Sequence, residues 1–232
     1  MKLAKAALDV GLYTNQREAM LDFWQHRAGV PFDELLPVGR GVQQHRHLIG
    51  ESILKINHSR DPMAAAAPAG YRRLILAREG RSSVEDLTDP DGNKLRLVPK
   101  GHQGIEQFEL EIAVRDLAAT TAFYRDALQL EQAGPGRFRC GVSLVSLHQD
   151  DSAAFDPPMR APGFRYTTLQ VYDVLAEHAG ILARGGREGA APVKLGEVAY
   201  ISFVRDPDGN WIEISQRKSL TGSLAAGEHG HG

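Results

Sequence analysis

The stretch "RDPDGNWIEI" (205–214) repeats an earlier one, "TDPDGNKLRL" (88–97), and the pair indicates that the chain uses one structural plan more than once. In both copies Pro fixes the second turn position, Asp caps the turn and Gly accepts the positive dihedral at its exit, which predicts a tight turn leading into a strand. The copies differ after the turn, where Arg96 stands in the place of Glu213. Because the turn residues themselves are structural, any function must come from the side chains that the following strand presents.

Three further pairs of stretches keep the same order along the chain. They are "NQREAMLDFW" (15–24) with "RDLAATTAFY" (115–124), "GESILKINH" (50–58) with "GVSLVSLHQ" (141–149), and "APAGYRRLIL" (67–76) with "RAPGFRYTTL" (160–169). The later part also contains "DVLAEHAGILARGG" (173–186), an amphipathic stretch ending at a Gly pair, which predicts a helix that the earlier part lacks. The sequence therefore predicts two halves, 1–100 and 107–217, with a truncated second unit in the first half.

The composition is that of an ordinary globular protein. Of 232 residues, 42% are hydrophobic and 24% charged, and a net charge of -2 with scattered Lys and Arg gives no basic surface for nucleic acid. The single cysteine, Cys140, excludes an intrachain disulfide and a cysteine zinc cluster. No segment is apolar enough for a signal peptide or a membrane span, so we expect a cytoplasmic protein. Residues 218–232 are rich in Gly, Ser and Ala and predict a flexible tail.

Strand periodicity places several acidic side chains opposite the apolar faces. In "FELEIAVRD" (108–116), Glu109 and Glu111 alternate with apolar residues, and in "GNWIEISQ" (209–216) Trp211 and Glu213 share the face opposite the isoleucines. On an isolated amphipathic strand such glutamates are most often surface charges.

The order of these elements resembles a known family. A strand, the helix "DLAATTAFY" (116–124), further strands, "GFRYTTLQV" (163–171), another helix and "FVRDPDGNWIEI" (203–214) are similar to the vicinal oxygen chelate superfamily, which includes glyoxalase I, bleomycin resistance proteins and extradiol dioxygenases. The resemblance implies an α+β fold of tandem βαβββ units, four units in two halves with the first half degenerate, whose curved mixed sheets enclose a cleft. It leaves open whether the halves close one barrel within a chain or pair across a homodimer.

The resemblance also implies where a metal would bind. The superfamily's ligand positions in the second half fall on Glu109, Ser146, Tyr166 and Glu213, where histidines usually fill the first-strand positions. A phenol with a pKa of about 10 is a poor ligand at neutral pH. Two alternatives follow: a divalent metal (Fe, Mn, Zn or Ni) bound by Glu109 and Glu213, or no metal.

The corresponding positions of the first half are mostly cationic. They fall on Asp9, Lys55, Arg73 and Arg96, a set that cannot chelate a metal. We interpret it as a degenerate half that supports the fold, with an anion site as the alternative.

Other side chains are candidates for contact with a substrate. His45 and His47 in "QQHRHLIG" (43–50) are two apart on a predicted strand and share a face, as do Ser146 and His148. An isolated pair of side chains of this kind more often lines a surface or cavity than takes part in catalysis. Trp211 beside Glu213 could stack on an aromatic or cationic ligand. We place these residues, together with Arg96, in the predicted substrate-binding set.

Three functional hypotheses remain at this stage. The first is an enzyme for a small oxygenated metabolite, carbonyl or aromatic, in which Glu109, Glu213 and Tyr166 transfer protons as in a lyase or isomerase. The second is a metal-dependent glyoxalase or ring-cleaving dioxygenase. The third is a drug-binding resistance protein without catalysis.

Overall fold

The computed structural model describes residues 1–224, which form two mixed β-sheets and four α-helices. The strands are β1 Leu3–Thr14, β2 Phe32–Gly39, β3 Val42–Ile49, β4 Ser52–Ser59, β5 Tyr71–Arg78, β6 Glu85–Thr88, β7 Lys94–Pro99, β8 Phe108–Val114, β9 Glu131–Gly134, β10 Arg137–Cys140, β11 Ser143–Gln149, β12 Gly163–Val171, β13 Arg187–Leu195, β14 Ala199–Arg205 and β15 Trp211–Arg217. The α-helices are α1 Arg17–Asp22, α2 Leu117–Ala122, α3 Val174–Ala183 and α4 Lys218–Thr221. Wider π-helical turns continue α1 over Phe23–Arg27 and α2 over Phe123–Ala127, and a 3-10 turn covers His102–Gly104.

The four repeated units are present, and three of them have the order βαβββ. The second unit, β5 to β7, lacks the helix, as the sequence comparison predicts, whereas α3 forms within the predicted stretch 173–186. Asp116 and Asp173 cap α2 and α3 by accepting hydrogen bonds from Ala119 N and Ala176 N at 2.9 and 3.0 Å. The predicted α+β fold of tandem units is confirmed.

Each sheet takes one unit from each half of the chain. Sheet A has eight strands in the order β13-β14-β15-β12-β1-β4-β3-β2 and joins the first unit to the fourth. Sheet B has seven strands in the order β6-β7-β5-β8-β11-β10-β9 and joins the second unit to the third. At the centre of each sheet the first strands of two units pair antiparallel, β1 with β12 and β5 with β8. The two clefts are therefore built across the halves and within one chain.

The main core connects the apolar faces of the two sheets and the helices. One cluster of buried residues includes Val10 and Leu54 of sheet A, Leu110 of sheet B and Trp24 after α1. Residues alternating with these, among them Asp9 and Lys55, lie on the opposite face of their sheet. We call that face of each sheet its concave face.

The two DPDGN turns tie the sheets together. In each, the Asp side chain accepts the backbone N–H of the Asn four residues on, at 2.9 Å for Asn93 and 2.8 Å for Asn210. Asn93 Oδ1 then accepts from Phe164 N at 3.0 Å, and Asn210 Oδ1 accepts from Gly70 N at 2.7 Å. Each turn of one sheet thus binds the backbone at the start of a strand in the other.

One prediction about the end of the chain is wrong in part. Residues 218–221 form the short helix α4, whose Thr221 Oγ1 donates to Arg217 O at 3.1 Å, so the predicted tail does not begin at 218. The remainder of that prediction, residues 225–232, lies outside the described residues. Within residues 1–224 no helix is both long and apolar enough to cross a membrane.

Candidate functional site

The concave face of sheet A carries a buried cluster of Lys55, Glu213 and Thr168. Lys55 Nζ donates to Glu213 Oε2 and to Thr168 Oγ1, both at 2.7 Å, and Thr168 Oγ1 donates to the same Glu213 oxygen at 2.6 Å. Lys55 is 3% exposed, so the ion pair lies almost wholly out of water. Burying two charges is costly unless they are paired and hydrogen-bonded, which this arrangement achieves.

Strand register explains why these side chains meet. Thr168 of β12 is paired directly with Glu213 of β15, and Asp9 of β1 is paired with Thr168 on the other side. Lys55 of β4 lies beside Gly11 of β1, and Gly11 is paired with Tyr166. A Cβ atom on Gly11 would lie 2.1 Å from the Tyr166 ring, so the absent side chain makes room for that ring.

Tyr166 covers the ion pair. Lys55 Nζ lies 5.4 Å from the centroid of its ring, and the phenol oxygen accepts a hydrogen bond from Asn57 Nδ2 at 3.1 Å. Burial, and next the nearby Glu213 carboxylate, hold the pKa of Tyr166 well above its usual value. The phenol therefore stays protonated at neutral pH, where it can donate a hydrogen bond but cannot serve as an anionic metal ligand.

A row of aromatic rings lines the same face of sheet A. Tyr13 and Tyr166 have ring centroids 6.3 Å apart, Tyr166 and Phe203 6.2 Å, and Phe203 and Trp211 5.9 Å. Trp211 Nε1 donates to Pro157 O at 2.9 Å, which fixes the indole. Tyr13, Phe203 and Trp211 are only partly buried, so the row offers an apolar wall to a ligand in the cleft.

The concave face of sheet B is closed by the segment that links its two units. Ile105, fully buried, packs with Ile75, Ala77, Val98 and Leu144, and Ile75 and Leu144 are paired with Glu109 and share its face. The linker carbonyl of Gln103 also accepts a hydrogen bond from Arg137 Nη1 at 3.0 Å.

Glu109 does not join Glu213, which corrects the expectation that the two carboxylates face each other. Glu109 lies on sheet B and forms a bidentate pair with Arg137, at 3.0 Å through Nε and 2.6 Å through Nη2. Its strand and that of Glu213 contribute apolar residues to the same core from different sheets, so the two carboxylates point away from that core on separate faces. They cannot share one substrate proton or one metal ion.

The structure places the other predicted substrate-binding residues apart from Glu213, except Trp211. Ser146 and His148 lie on sheet B, with His148 Nε2 3.3 Å from Ser146 Oγ. Arg96 is also on sheet B and pairs with Asp86 at 2.7 Å.

His45 and His47 share a face as predicted, but it is the helix-covered face of sheet A. They are paired with the core residues Ile56 and Leu54. His47 Nε2 lies 3.1 Å from Gln25 Nε2, and burial lowers the pKa of His47 to about 4. The sheet therefore separates both rings from Lys55, which corrects their assignment to substrate binding.

The residues at the superfamily's metal positions in sheet A do not fit a metal. Among residues 1–224 no group of three or more His, Cys, Asp or Glu side chains is placed to hold one. Two of the four aligned positions in this sheet carry the Lys55 ammonium and a protonated phenol, and the ammonium is bound directly to Glu213. A cation bound beside Glu213 would have to displace the Lys55 charge.

A separate cavity of about 410 Å³ lies at the seam between the sheets, lined by residues that include Tyr71, Arg72, Arg73 and Phe164. Its arginines are paired, Arg72 with Asp150 at 3.6 Å and Arg73 with Glu111 at 3.4 Å. We regard sheet A as the candidate site because its charged groups are buried together beside partly exposed aromatic rings.

Comparison with known proteins agrees with this architecture. The sequence profile of the glyoxalase/bleomycin resistance protein/dioxygenase superfamily matches residues 104–214. Virulence protein STM3117 of Salmonella typhimurium is 32% identical over 144 residues, covering 53% of this chain and 96% of that protein. The chain belongs to this superfamily.

Solved structures show the fold over nearly the whole chain. Glyoxalase I from Zea mays is similar with a TM-score of 0.72 at 14% identity, covering 99% of this chain and 97% of that one. A single-residue variant of the maize enzyme gives a TM-score of 0.74 at 12% identity, covering 97% and 96% of the two chains. At this identity the likeness concerns the fold alone.

The structure places the predicted residues Glu213 and Tyr166 on one face, and it adds Thr168 and the pairing of Lys55 with Glu213, which the sequence did not predict. The signal was present, because Lys55 occupies an aligned ligand position. The sequence does not show which units pair, so Lys55 was interpreted as part of a degenerate first half.

Proposed function

We propose that this chain is an enzyme that transfers a proton on a small oxygenated metabolite, with the Lys55 ammonium supplying the positive charge that a metal supplies elsewhere in the superfamily. The observation that carries the proposal is the buried cluster of Lys55, Glu213 and Thr168 beside the aromatic row. The class of reaction is that of a lyase or isomerase acting next to a carbonyl.

Lys55 is suited to polarise a substrate oxygen. An ammonium has three N–H donors, and within residues 1–224 two acceptors are found for it, Glu213 and Thr168. The third donor can bind a carbonyl oxygen, and the low local dielectric strengthens that bond as negative charge develops on the oxygen. Tyr166, kept protonated by burial, is a further donor near the same point.

Glu213 is suited to accept the proton. Its Oε2 binds Lys55 and Thr168, which fixes the carboxylate, and no hydrogen bond to Oε1 is found among residues 1–224. The proton on the carbon next to the carbonyl would pass to Oε1 and the C–H electron pair would form a carbon–carbon double bond. The carbonyl π electrons would then move to the oxygen, giving an enolate held by Lys55.

Solvent exchange provides the test. We would incubate the protein in D₂O with a panel of small ketones and oxo acids and follow loss of the proton next to the carbonyl by NMR. We expect exchange by the wild type, loss of about a hundredfold or more in Glu213→Gln, and unchanged exchange in Glu111→Gln, which alters a carboxylate of sheet B. Exchange by Glu213→Gln at the wild-type rate, with an intact fold by circular dichroism, would contradict the proposal.

A second candidate function is binding without catalysis, favoured by the aromatic row from Tyr13 to Trp211. Such a protein would sequester a planar ligand by stacking. Ligands that bind the wild type and Glu213→Gln equally, with no exchange or product in either, would support this function over the enzyme.

A further inference from the structure

Two arginines of sheet A, Arg46 and Arg217, lie on the concave face, and Arg46 lies beside Lys55. Arg46 of β3 is paired directly with Lys55 of β4 and so shares its face. Arg217 ends β15, and alternates onto the face of Glu213. The concave face of sheet A thus carries the cationic side chains of Arg46 and Arg217 in addition to that of Lys55.

Arg46 is buried without full compensation. It is 7% exposed, its Nη1 has no hydrogen-bond partner among residues 1–224, and its Nε lies 3.0 Å from Glu34 Oε1 without the alignment of a hydrogen bond. Glu34 itself is 44% exposed, so solvent competes for its carboxylate. A buried guanidinium nitrogen that lacks an acceptor is costly, and native proteins seldom retain one without a ligand or a function.

Arg217 adds a second guanidinium to the same space. In the part of the chain that the structure describes, no carboxylate lies within salt-bridge distance of it. Burial, and next the charge of Arg46, lower the pKa of Arg217. The carboxylates of Glu34, Glu213 and Asp9 act in the opposite direction but offset this lowering only in part. Like charges held together in this way are relieved by an anionic group bound between them.

We infer that Arg46 and Arg217 bind the carboxylate of the substrate, so that the substrate class of this cleft is a small oxo acid with an apolar or aromatic body. The inference rests on the proposed function, because it uses the same cleft. A planar guanidinium matches a carboxylate with two parallel hydrogen bonds. With the carboxylate at Arg46, an adjacent carbonyl falls next to Lys55 and the body of the acid meets the rings of Tyr166 and Phe203.

The test compares an anion with its neutral isostere. We would titrate the protein with phenylacetate and with phenylacetamide by calorimetry. We expect phenylacetate to bind about ten- to a hundredfold more tightly, the difference that a charge-assisted pair provides, and Arg217→Gln and Arg46→Gln each to remove that preference. Arg96→Gln, which alters an arginine of sheet B already paired with Asp86, should leave it intact.

The outcomes separate this inference from the proposed function. Equal affinity for the two probes in the wild type, no binding of either at millimolar concentration, or a preference that survives both Arg46→Gln and Arg217→Gln would overturn the inference. If Glu213→Gln nevertheless abolishes solvent exchange, the proposed function stands alone. If the charge preference is lost in the arginine variants but no exchange occurs in any protein, the cleft binds acids without the proposed chemistry.

Discussion

Lys55 Nζ lies 2.7 Å from Glu213 Oε2, so residues from opposite ends of the chain form one buried ion pair at the centre of sheet A. The pair depends on sheet A joining the first unit to the fourth. The pair also distinguishes this site from a metal site, because the side chain that faces Glu213 is the positively charged Lys55.

Removal of the Lys55 charge should destabilise the protein strongly. Lys55→Met keeps most of the side-chain volume but leaves Glu213 buried without its partner, which we expect to lower the free energy of unfolding by about 3–5 kcal/mol. Urea unfolding at neutral pH measures this loss of free energy of unfolding. Adding Glu213→Gln to Lys55→Met should restore part of the loss, because the uncompensated charge is then gone.

An exposed pair provides the control for this experiment. Lys100 Nζ lies 2.7 Å from Glu79 Oε1 at the surface, where solvent screens the attraction. Lys100→Met should leave the unfolding midpoint unchanged. Equal effects of Lys55→Met and Lys100→Met would show that the ion pair in sheet A is not the buried interaction described above.

The buried ring of His47 should make stability depend on pH. Its pKa is lowered to about 4 in the folded chain, against about 6.5 when unfolded, so between these values the unfolded state binds more protons. The stabilisation that His47 provides is therefore present above pH 6.5 and is lost as the pH falls towards 4, by about 3 kcal/mol in full.

The variant His47→Gln isolates this effect from other titrating groups. Asp89 and Asp206, whose pKa values burial raises to about 6, act in the opposite direction over part of the same range. We expect the free energy of unfolding of the wild type to fall relative to that of His47→Gln as the pH falls from 7.5 to 4.5. A difference that stays constant over this pH range would contradict the assignment.

Gly11 should be required for the position of Tyr166. A methyl group at Gly11 would lie 2.1 Å from the Tyr166 ring, so Gly11→Ala must displace the ring from above Lys55 and break its hydrogen bond with Asn57. We expect a loss of about 1–3 kcal/mol in unfolding free energy and a fall in exchange activity. Combining Gly11→Ala with Tyr166→Leu should recover stability but not activity, whereas wild-type behaviour of Gly11→Ala would show that the ring is not confined there.

The local structure and the repeated units could be predicted from the sequence. The period of two placed Glu213 opposite Ile212 and Ile214, which lie in the core, and the DPDGN turns formed as predicted, with positive φ at Gly92 and Gly209. These features depend on residues close together in the sequence, where side-chain alternation and turn dihedrals decide the outcome.

The composition of the site could not be predicted, because it depends on which units pair. Glu109 lies on the first strand of the third unit and Glu213 on the last strand of the fourth, and only the pairing of β1 with β12 and of β5 with β8 separates them into two sheets. Strand alternation fixes a face relative to the core, but not which other strand contributes to that face. The same limit explains His45 and His47, whose strand is polar on both faces, so its pattern does not show which face the helices cover.

The hydrogen bond between Asn210 and Gly70 should hold the two sheets in position relative to each other. Asn210 is fully buried, its Oδ1 accepts from Gly70 N at 2.7 Å, and its Nδ2 donates to Asp206 Oδ2 at 2.9 Å. Asn210→Ala leaves two buried groups, the Gly70 N–H and Asp206 Oδ2, without these hydrogen bonds, which costs about 1–3 kcal/mol for each. The matched variant Asn93→Ala should cost less, since Asn93 is partly exposed and Asp89 Oδ2 keeps a hydrogen bond from Trp24 Nε1 at 3.3 Å. Urea unfolding of the two variants measures which one loses more free energy of unfolding. A larger loss in Asn93→Ala would mean that the turn of sheet B contributes more to the contact between the sheets.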